Sequence, residues 1–477
     1  MTHLLAFLPE FVGLLGALAL FVICLGRQPT PAARRAAMCI AVTTLGAAAL
    51  TATQSATLFA GAYRVDAFSQ FLKIVLSLGF VLVLLLNGEL PDIRSEVKPE
   101  YYLFLTLSVC GLLMLVSCID VITLVVALQL AAFPLYLMVP MRRERTGQRS
   151  QMEAAIKYLM FGIAANGVML FGLSYLFGLT GTTSLPEMMR RLDPFLDSPF
   201  AVAGLGFTFC GLFYKLAVFP FHFWTPDVYE GAAHETAGFV ASLPKIGAVA
   251  VMVRFVSLAG PESRTLAGLL TLLAVASMFY GNLLALAQTD LKRLLGFSSI
   301  AHAGYGLIGF VALEPAGYTA ALFYIVGYLF MVVACFVVVA RVAPDGVNVQ
   351  LEDLAGLHRR SPLLAATLLC GVFALAGVPP FVGFTGKLAL LTAALAKGHL
   401  TLVVLAVLNT AIAIYYYLCV VREAFFRDAD DRVAVALDWP TRILCGGLIA
   451  GLLALGILPA RILAAIQGSL SQGPMGQ

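Results

Sequence analysis

Long apolar runs recur along the whole chain, with short polar segments between them. Most runs hold roughly 18 to 25 residues, enough for an α-helix to cross a hydrocarbon core of about 30 Å. They lack the strict alternation of apolar and polar residues that is typical of membrane β-barrel strands. The pattern predicts an all-α polytopic membrane protein with about fourteen transmembrane helices. The predicted spans are Leu4–Leu25, Ala37–Ala60, Phe68–Leu86, Tyr101–Cys118, Val121–Val139, Ala154–Leu179, Ala201–Phe221, Thr236–Leu258, Leu266–Leu286, Leu294–Leu313, Tyr318–Ala340, Leu363–Ala396, Leu400–Val421 and Ile443–Leu463.

Two of these predicted helices contain prolines that indicate a break in the helix. The twelfth run is too long for one straight crossing and contains Gly377-Val378-Pro379-Pro380. The seventh ends in Phe219-Pro220-Phe221. Proline interrupts helical hydrogen bonding, and membranes tolerate broken helices where protein or water satisfies the freed backbone groups. We therefore expect discontinuous seventh and twelfth helices.

Composition agrees with lipid as the solvent. Of 477 residues, 61% are hydrophobic and 12% charged, which leaves too little polar surface for a water-soluble protein. The formal net charge of +4 is accounted for by basic loops, so we expect no nucleic-acid partner. No phosphate-binding glycine loop is present either. The first run lacks a basic leader and a clear cleavage site, and we expect it to stay as a helix.

Lysine and arginine fall mainly in alternate loops, which predicts the orientation, because basic short loops stay cytoplasmic. The opposite loops hold little beyond Arg64, Arg190, Arg191, Arg264 and Lys397. Both termini are therefore expected on the non-cytoplasmic side. The basic set is Arg27, Arg34, Arg35, Arg94, Lys98, Arg142, Arg143, Arg145, Arg149, Lys292, Arg293, Arg359, Arg360, Arg422, Arg427 and Arg432.

The nine cysteines are scattered, almost all within predicted spans, and none forms a C-x-x-C pair. Such cysteines are typically small buried apolar residues. No His/Glu cluster has metal-ligand spacing either. We therefore expect no cofactor or metal in this chain.

Two stretches about 160 residues apart resemble each other: Ala154–Tyr158 matches Ala320–Tyr324, and Pro220-Phe221 matches Pro380-Phe381. Each unit would contain five helices, and an odd number of crossings inserts successive units in opposite orientations, as in many ion transporters. The predicted organisation is an N-terminal three-helix segment over 1–100, two inverted five-helix repeats over 101–260 and 261–425, and a C-terminal helix over 426–477.

Lysines inside the spans are the main candidates for function. Lys215 lies five residues before Pro220, Lys245 follows Pro244, and Lys387 follows the double-proline break. A lysine at mid-bilayer costs roughly 2.5 to 3.5 kcal/mol on insertion scales, so it needs a reason to be there. Proton transfer is one reason, since burial disfavours the charged form of a lysine. The alternative is that each lysine reaches an interface or completes a structural ion pair.

Other polar residues have two open interpretations each. Glu153 and Lys157 are one helical turn apart, where an ordinary ion pair is the default. His302 in the tenth span can relay protons between the two halves or simply pack with hydrogen bonds. The segment His222–Gly231 is rich in aromatic and capping residues, which favours a structural role at an interface.

The chain resembles the antiporter-like membrane subunits of respiratory complex I and of multisubunit cation/proton antiporters, over almost its entire length. Tyr415-Tyr416-Tyr417-Leu418 and an expected end soon after the fourteenth span favour the subunit N branch. The stretches that carry the resemblance are Phe213-Tyr214-Lys215-Leu216-Ala217, Pro220 to Gly231, Gln288 to Leu295, Ser298 to Tyr305 and Gly377 to Lys387.

The resemblance implies a proton-translocating subunit of NADH:quinone oxidoreductase in the inner (plasma) membrane of a bacterium, beside other antiporter-like subunits. NADH, FMN, iron–sulfur clusters and quinone would then belong to other parts of the complex. Lys215, Lys245 and Lys387 match the family's proton-carrying lysines, and Glu153 and Lys157 match an acidic–basic pair. Protons would pass from the cytoplasm toward Lys215 and Lys245 and leave by way of Lys387.

One position departs from the family pattern. The fifth span of relatives carries a glutamate that pairs with the seventh-span lysine, whereas this chain has Gln129 there. An amide can hydrogen-bond Lys215 but supplies no counter-charge. Three hypotheses follow: a proton-pumping complex I subunit, a cation/proton antiporter subunit without redox chemistry, or a scaffold whose channel is partly disabled.

Overall fold

The structure is a computed structural model that describes residues 5–26, 30–144, 150–195, 198–256, 263–429 and 432–473. Arg27, Arg145 and Arg149 of the basic loops, Leu4 of the first predicted span and Leu258 of the eighth lie outside these residues. The helices are α1 Leu8–Leu25, α2 Thr30–Leu50, α3 Ala67–Asn87, α4 Lys98–Leu115, α5 Val121–Met138, α6 Ser150–Thr180, α7 Leu185–Leu192, α8 Pro199–Leu216, α9 Trp224–Gly231, α10 His234–Val256, α11 Arg264–Ala285, α12 Leu291–Val311, α13 Pro315–Val342, α14 Leu357–Arg360, α15 Pro362–Ala376, α16 Val382–Ala396, α17 Leu400–Phe426, α18 Trp439–Ile457 and α19 Pro459–Gln472.

Helices dominate the described chain, which confirms the predicted fold class. Twelve of them are long and apolar enough to cross a membrane. The 18-residue α4 and the pair of shorter apolar helices α15 and α16 complete the fourteen predicted spans.

The second span differs from its prediction. It was expected over Ala37–Ala60, but α2 ends at Leu50 and the chain then forms a small antiparallel hairpin. Its strands are β1 Ala56–Leu58 and β2 Tyr63–Val65. The prediction extended the span too far because the short apolar stretch Leu58-Phe59-Ala60 closely follows the helix. The helix starts earlier than expected, with Pro31 beside its first residue, where proline is tolerated.

Both predicted breaks are present. Helix α8 ends at Leu216 with Ala217 in the left-handed region (φ 67°), and α9 resumes at Trp224. Helix α15 ends with Gly377 in the same region (φ 86°), and α16 resumes at Val382. The Phe219-Pro220 and Pro379-Pro380 bonds are both cis. The two breaks therefore share one backbone form at the corresponding positions of the proposed repeats, whose boundaries stay a prediction.

Three helices form the centre of the molecule. The spans α10, α12 and α13 are almost entirely buried, whereas α1, α2, α17 and α18 expose most of their surface. A helix that is apolar all round belongs in the interior, and one with an exposed apolar face lies against lipid or a neighbouring subunit. Lys245 and His302 lie on two of the central helices, far from any exposed face.

Candidate functional site

Lys215 lies in the last turn of α8, immediately before the first helix break. Its side chain borders a cavity of about 10 Å³, lined also by Leu128, Tyr158 and Trp224. That volume is close to the minimum that a single water molecule needs. Tyr214 donates a hydrogen bond to the Tyr158 carbonyl at 2.7 Å, so aromatic groups fix the walls. Within the described residues Lys215 makes no hydrogen bond or ion pair.

Gln129 does not compensate for the missing carboxylate. The Asn166 side-chain amide donates to Gln129 Oε1 at 3.3 Å, so two neutral amides pair with each other across α5 and α6. Among the described residues, Gln129 forms no hydrogen bond with Lys215. Lys215 therefore lies in an aromatic pocket without a counter-charge from this helix.

Lys245 lies on the central helix α10, one residue after Pro244, and is 2% exposed. It donates a hydrogen bond to the Ser299 hydroxyl of α12. The same hydroxyl hydrogen-bonds Tyr229 at 3.0 Å and Tyr328 at 2.9 Å. The lysine is therefore joined to a network of three hydroxyl groups, and each hydroxyl can both donate and accept hydrogen bonds.

A second cavity lies between Lys245 and His302. It measures about 20 Å³ and is lined also by Tyr324 and Tyr328. A cavity of this size that is bordered by several polar groups can hold a water molecule. The structure thus brings together two residues that the sequence could place only on separate helices.

His302 joins three helices. Its Nδ1 hydrogen-bonds the Tyr324 hydroxyl at 2.5 Å, and its Nε2 hydrogen-bonds the Tyr417 hydroxyl at 3.0 Å. Tyr417 in turn hydrogen-bonds Ser298 at 2.5 Å. A neutral imidazole has one donor and one acceptor nitrogen, and both are used here. This geometry suits proton relay and also satisfies a packing histidine, so both interpretations remain.

Lys387 closes the second break. It is buried in α16 and donates to the carbonyls of Leu375 and Ala376 at 3.0 and 3.1 Å. These carbonyls end α15, where the helix dipole is negative and favours a cation. The ammonium also lies 4.5 Å from the centre of the Tyr305 ring. The break therefore creates the lysine's binding partners, as the sequence suggested.

Glu153 and Lys157 form the predicted pair at the start of α6, at 2.6 Å, and both are partly exposed. Lys157 also contacts Asp227 of α9 at 2.6 Å, and Asp227 contacts Arg293 of α12 at 2.9 Å. Glu230 pairs with Arg293 at 2.6 Å. The segment His222–Gly231, for which we predicted a structural role at an interface, is therefore largely the helix α9. Ion pairs hold this helix in place.

Several buried charges were not predicted from the sequence. Lys73 and Glu10 pair at 2.6 Å, and Arg142 and Asp92 pair at 2.5 Å. Lys73 lies inside a predicted span, so the rule that found the other lysines applies to it, but no break or proline marks its position. Lys292 was assigned to a loop, whereas it lies fully buried in α12 and donates to the Ala232 carbonyl at 2.7 Å.

Within the described part of the chain, no three His, Cys, Asp or Glu side chains are grouped in a way that could hold a metal ion. All nine cysteines are free thiols, spread over several helices. The site brings amine, imidazole and hydroxyl groups together, and these groups form hydrogen bonds with one another.

The family described as NADH:quinone oxidoreductase/Mrp antiporter, TM, matches residues 118–413. The chain is 62% identical to "NADH-quinone oxidoreductase subunit N 2" of Opitutus terrae, over 99% of this chain and 98% of that protein. It is 42% identical to the protein of the same name from Syntrophobacter fumaroxidans, over 96% and 97% of the two chains.

Solved structures show the same fold. A chain of respiratory complex I from Thermus thermophilus with bound aureothin matches with a TM-score of 0.83 and 31% identity, covering 96% of this chain and 99% of that chain. A chain of the Mrp complex from Dietzia sp. DQ12-45-1b matches with a TM-score of 0.87 and 20% identity, covering 98% and 97%. The fold alone therefore does not separate the two kinds of complex.

Proposed function

Because the chain belongs to the NADH:quinone oxidoreductase/Mrp antiporter family of membrane subunits, we propose that it moves protons in the membrane arm of a respiratory NADH:quinone oxidoreductase. Sequence identity favours this complex over an antiporter: 62% to a named subunit N and 31% to a complex I chain, against 20% to an Mrp chain. The chain acts as a translocating subunit, while NADH oxidation occurs elsewhere in the complex.

The proposed proton carriers are Lys215, Lys245 and Lys387. The observation that carries this proposal is the buried polar network around Lys245. Lys245 binds Ser299 and shares a cavity with His302, whose tyrosine partners come from α13 and α17. Buried hydroxyl and imidazole groups within hydrogen-bond reach of a lysine can pass protons through rotation and intervening water.

Protons enter this network from the cytoplasmic side toward Lys215 and Lys245, and leave past Lys387. Lys157 and Glu153, with Asp227, form the charged surface nearest to the α9 segment of the first break. Charged groups at the mouth of a path raise the local concentration of exchangeable protons and water. Their proposed role is to guide protons, not to carry them through the interior.

The remaining assignments follow from the same family. We place the chain in the inner (plasma) membrane of a bacterium with both termini on the non-cytoplasmic side, beside other membrane-arm subunits. NADH, FMN, iron–sulfur clusters and quinone belong to those partners. The exposed apolar faces of α1, α2 and α18 provide surface for lipid and for such neighbours.

Purification through a tag on this chain tests the assignment. We expect peripheral subunits and quinone-linked NADH oxidation to co-purify, and the reconstituted assembly to acidify vesicles when NADH is supplied. A redox-free assembly with sodium- or potassium-dependent proton exchange would instead establish the antiporter alternative.

One observation favours the scaffold alternative for the part of the chain around Lys215. Lys215 has no counter-charge from α5, because Gln129 pairs with Asn166. If Lys215→Ala leaves the proton-to-electron ratio unchanged while Lys245→Met lowers it, the pocket around Lys215 is structural and the path through Lys245 and Lys387 alone carries protons.

A further inference from the structure

A buried acid–base pair lies outside the proposed lysine path. Glu10 in the first turn of α1 and Lys73 in α3 are both 0% exposed, and their Oε1 and Nζ atoms are 2.6 Å apart. The Tyr63 hydroxyl of β2 donates to the same carboxylate oxygen at 2.5 Å. The Lys73 ammonium also lies 5.5 Å from the centre of the Tyr63 ring. Three groups that can hold protons therefore meet at one point.

This cluster is poorly satisfied as a pair of charges. Glu10 Oε2 has no hydrogen-bond partner within the described structure, and Lys73 Nζ makes no aligned hydrogen bond despite its closeness to Oε1. A buried ion pair repays its desolvation cost only when further hydrogen bonds satisfy the remaining donors and acceptors. The charged form of the pair therefore has little advantage over the neutral form.

A second buried pair shows what a structural ion pair looks like in this protein. Arg142 donates to Asp92 at 2.5 Å and also to the carbonyls of Glu230 and Gly346 and to the Asn348 side chain. That guanidinium uses most of its donors and ties several segments together. The pair of Glu10 and Lys73 has no comparable set of contacts.

Polar groups continue on both sides of Lys73 along α3. Gln70 and Ser77 lie three residues before and four residues after it, which places all three on one side of the helix. Both are fully buried, and neither side chain has a hydrogen-bond partner among the described residues. This stripe of unpartnered polar groups is suited to water and leads from the start of α3 toward the interior.

We propose that Glu10 and Lys73 form an additional proton-exchange pair in the N-terminal three-helix segment. One Nζ–H bond of Lys73 breaks and an O–H bond forms on Glu10, converting ammonium and carboxylate into amine and carboxylic acid without change of net charge. Tyr63 donates its hydrogen bond to the carboxyl group. The pair serves the membrane face at which α1 and α3 both begin, and this role rests on the proposed proton-pumping function.

The surroundings of the pair contain few other titratable groups. Cys110 of α4 and Cys118 in the turn after it lie within electrostatic reach of Glu10. Asp66, which caps α3, pairs with Arg254 of α10 at 3.3 Å. This second ion pair is roughly 10 Å along α3 from Lys73, at a rise of about 1.5 Å per residue.

The test uses the whole complex in vesicles and the double variant Glu10→Gln with Lys73→Met. Replacing both partners by neutral groups of similar volume is often neutral for stability, so a purely structural pair predicts normal pumping. We expect proton translocation per NADH to fall below the wild-type value. The matched control neutralises an exposed pair, Arg359→Gln with Asp428→Asn, and retains the wild-type value.

Wild-type pumping by the double variant would overturn the inference. Absence of pumping in the wild-type complex would contradict the proposed function instead, so the two failures are distinguishable. Tyr63→Phe provides a milder test, since it keeps the ion pair and the ring. Loss of a hydrogen bond to a charged group shifts the pH dependence of pumping by roughly one unit. An unchanged pH profile would also contradict the proposal.

Discussion

Asn166 donates a hydrogen bond to Gln129 at 3.3 Å, at the position where the family resemblance led us to expect a carboxylate for Lys215. Two uncharged amides therefore occupy the place of a charge. Lys215 borders an aromatic cavity nearby and has no ion pair within the described residues. The surroundings of Lys215 thus differ electrostatically from those of Lys245 and Lys387, which both have hydrogen-bond partners.

Gln129→Glu should supply a counter-charge on α5 for Lys215. An opposite charge within about 4 to 6 Å favours the protonated lysine, so we expect the proton-to-electron ratio or its pH dependence to change. The measurement is vesicle acidification per NADH oxidised over a range of pH. Gln129→Met, which has similar volume and no charge, is the control. If both variants match the wild type and Lys215→Ala does too, the region around Gln129 and Lys215 is a scaffold.

Ser299→Ala should weaken pumping because it removes the hydroxyl to which Lys245 donates. A hydrogen bond to a charged group contributes about 1.5 to 3 kcal/mol, so a roughly tenfold lower translocation rate is expected. Ser174→Ala is the control, since its exposed hydroxyl bonds only to its own helix. Equal rates for the two variants would show that the Lys245 contact does not take part in proton movement.

The two helix breaks should respond oppositely to exchanging glycine and alanine. Gly377→Ala places a methyl group at φ 86° and 3.1 Å from Lys387 Cδ, so we expect a loss of roughly 1 kcal/mol or more in stability. Ala217→Gly relieves the left-handed alanine at φ 67° and should stabilise by up to about 1 kcal/mol. Thermal midpoints of the purified complex measure both. Shifts in the same direction would be inconsistent with this account of the breaks.

Arg142→Met should destabilise the subunit by about 3 to 5 kcal/mol, because it removes the charge that compensates buried Asp92. It also breaks the contacts from Arg142 to the end of α9 and to the segment after α13. The amount of assembled complex and its thermal midpoint report the loss. Arg94→Met, at an exposed neighbouring position, should leave both unchanged.

Much of this fold was predictable, because a membrane-spanning helix needs a long run of apolar residues and such runs are visible in the sequence. Apolar runs located the fourteen spans, and prolines located both breaks. The hairpin after α2 was not predicted, since three-residue strands give too short a pattern. Lys387 was predicted as a functional residue because it follows the second helix break. Its partners are the carbonyls that this break leaves without helical hydrogen bonds.

Partners across helices could not be predicted in the same way. Nothing in the sequence indicates that Ser299 lies against Lys245, or that Tyr417 reaches His302, because these contacts depend on helix packing. The pair of Lys73 and Glu10 was missed for a related reason. Each residue alone resembles an interfacial charge, and only their contact reveals a buried pair.

Proton translocation per NADH by complex that contains Lys387→Met shows whether Lys387 carries protons. Methionine preserves the length and apolar stem of the lysine, while it removes the ammonium that binds Leu375 and Ala376. Quinone-linked NADH oxidation and assembly are measured in the same preparation, with Lys397→Met at an exposed site as the control. We expect a lower proton-to-electron ratio for Lys387→Met alone. An undiminished ratio in assembled, active complex would contradict it.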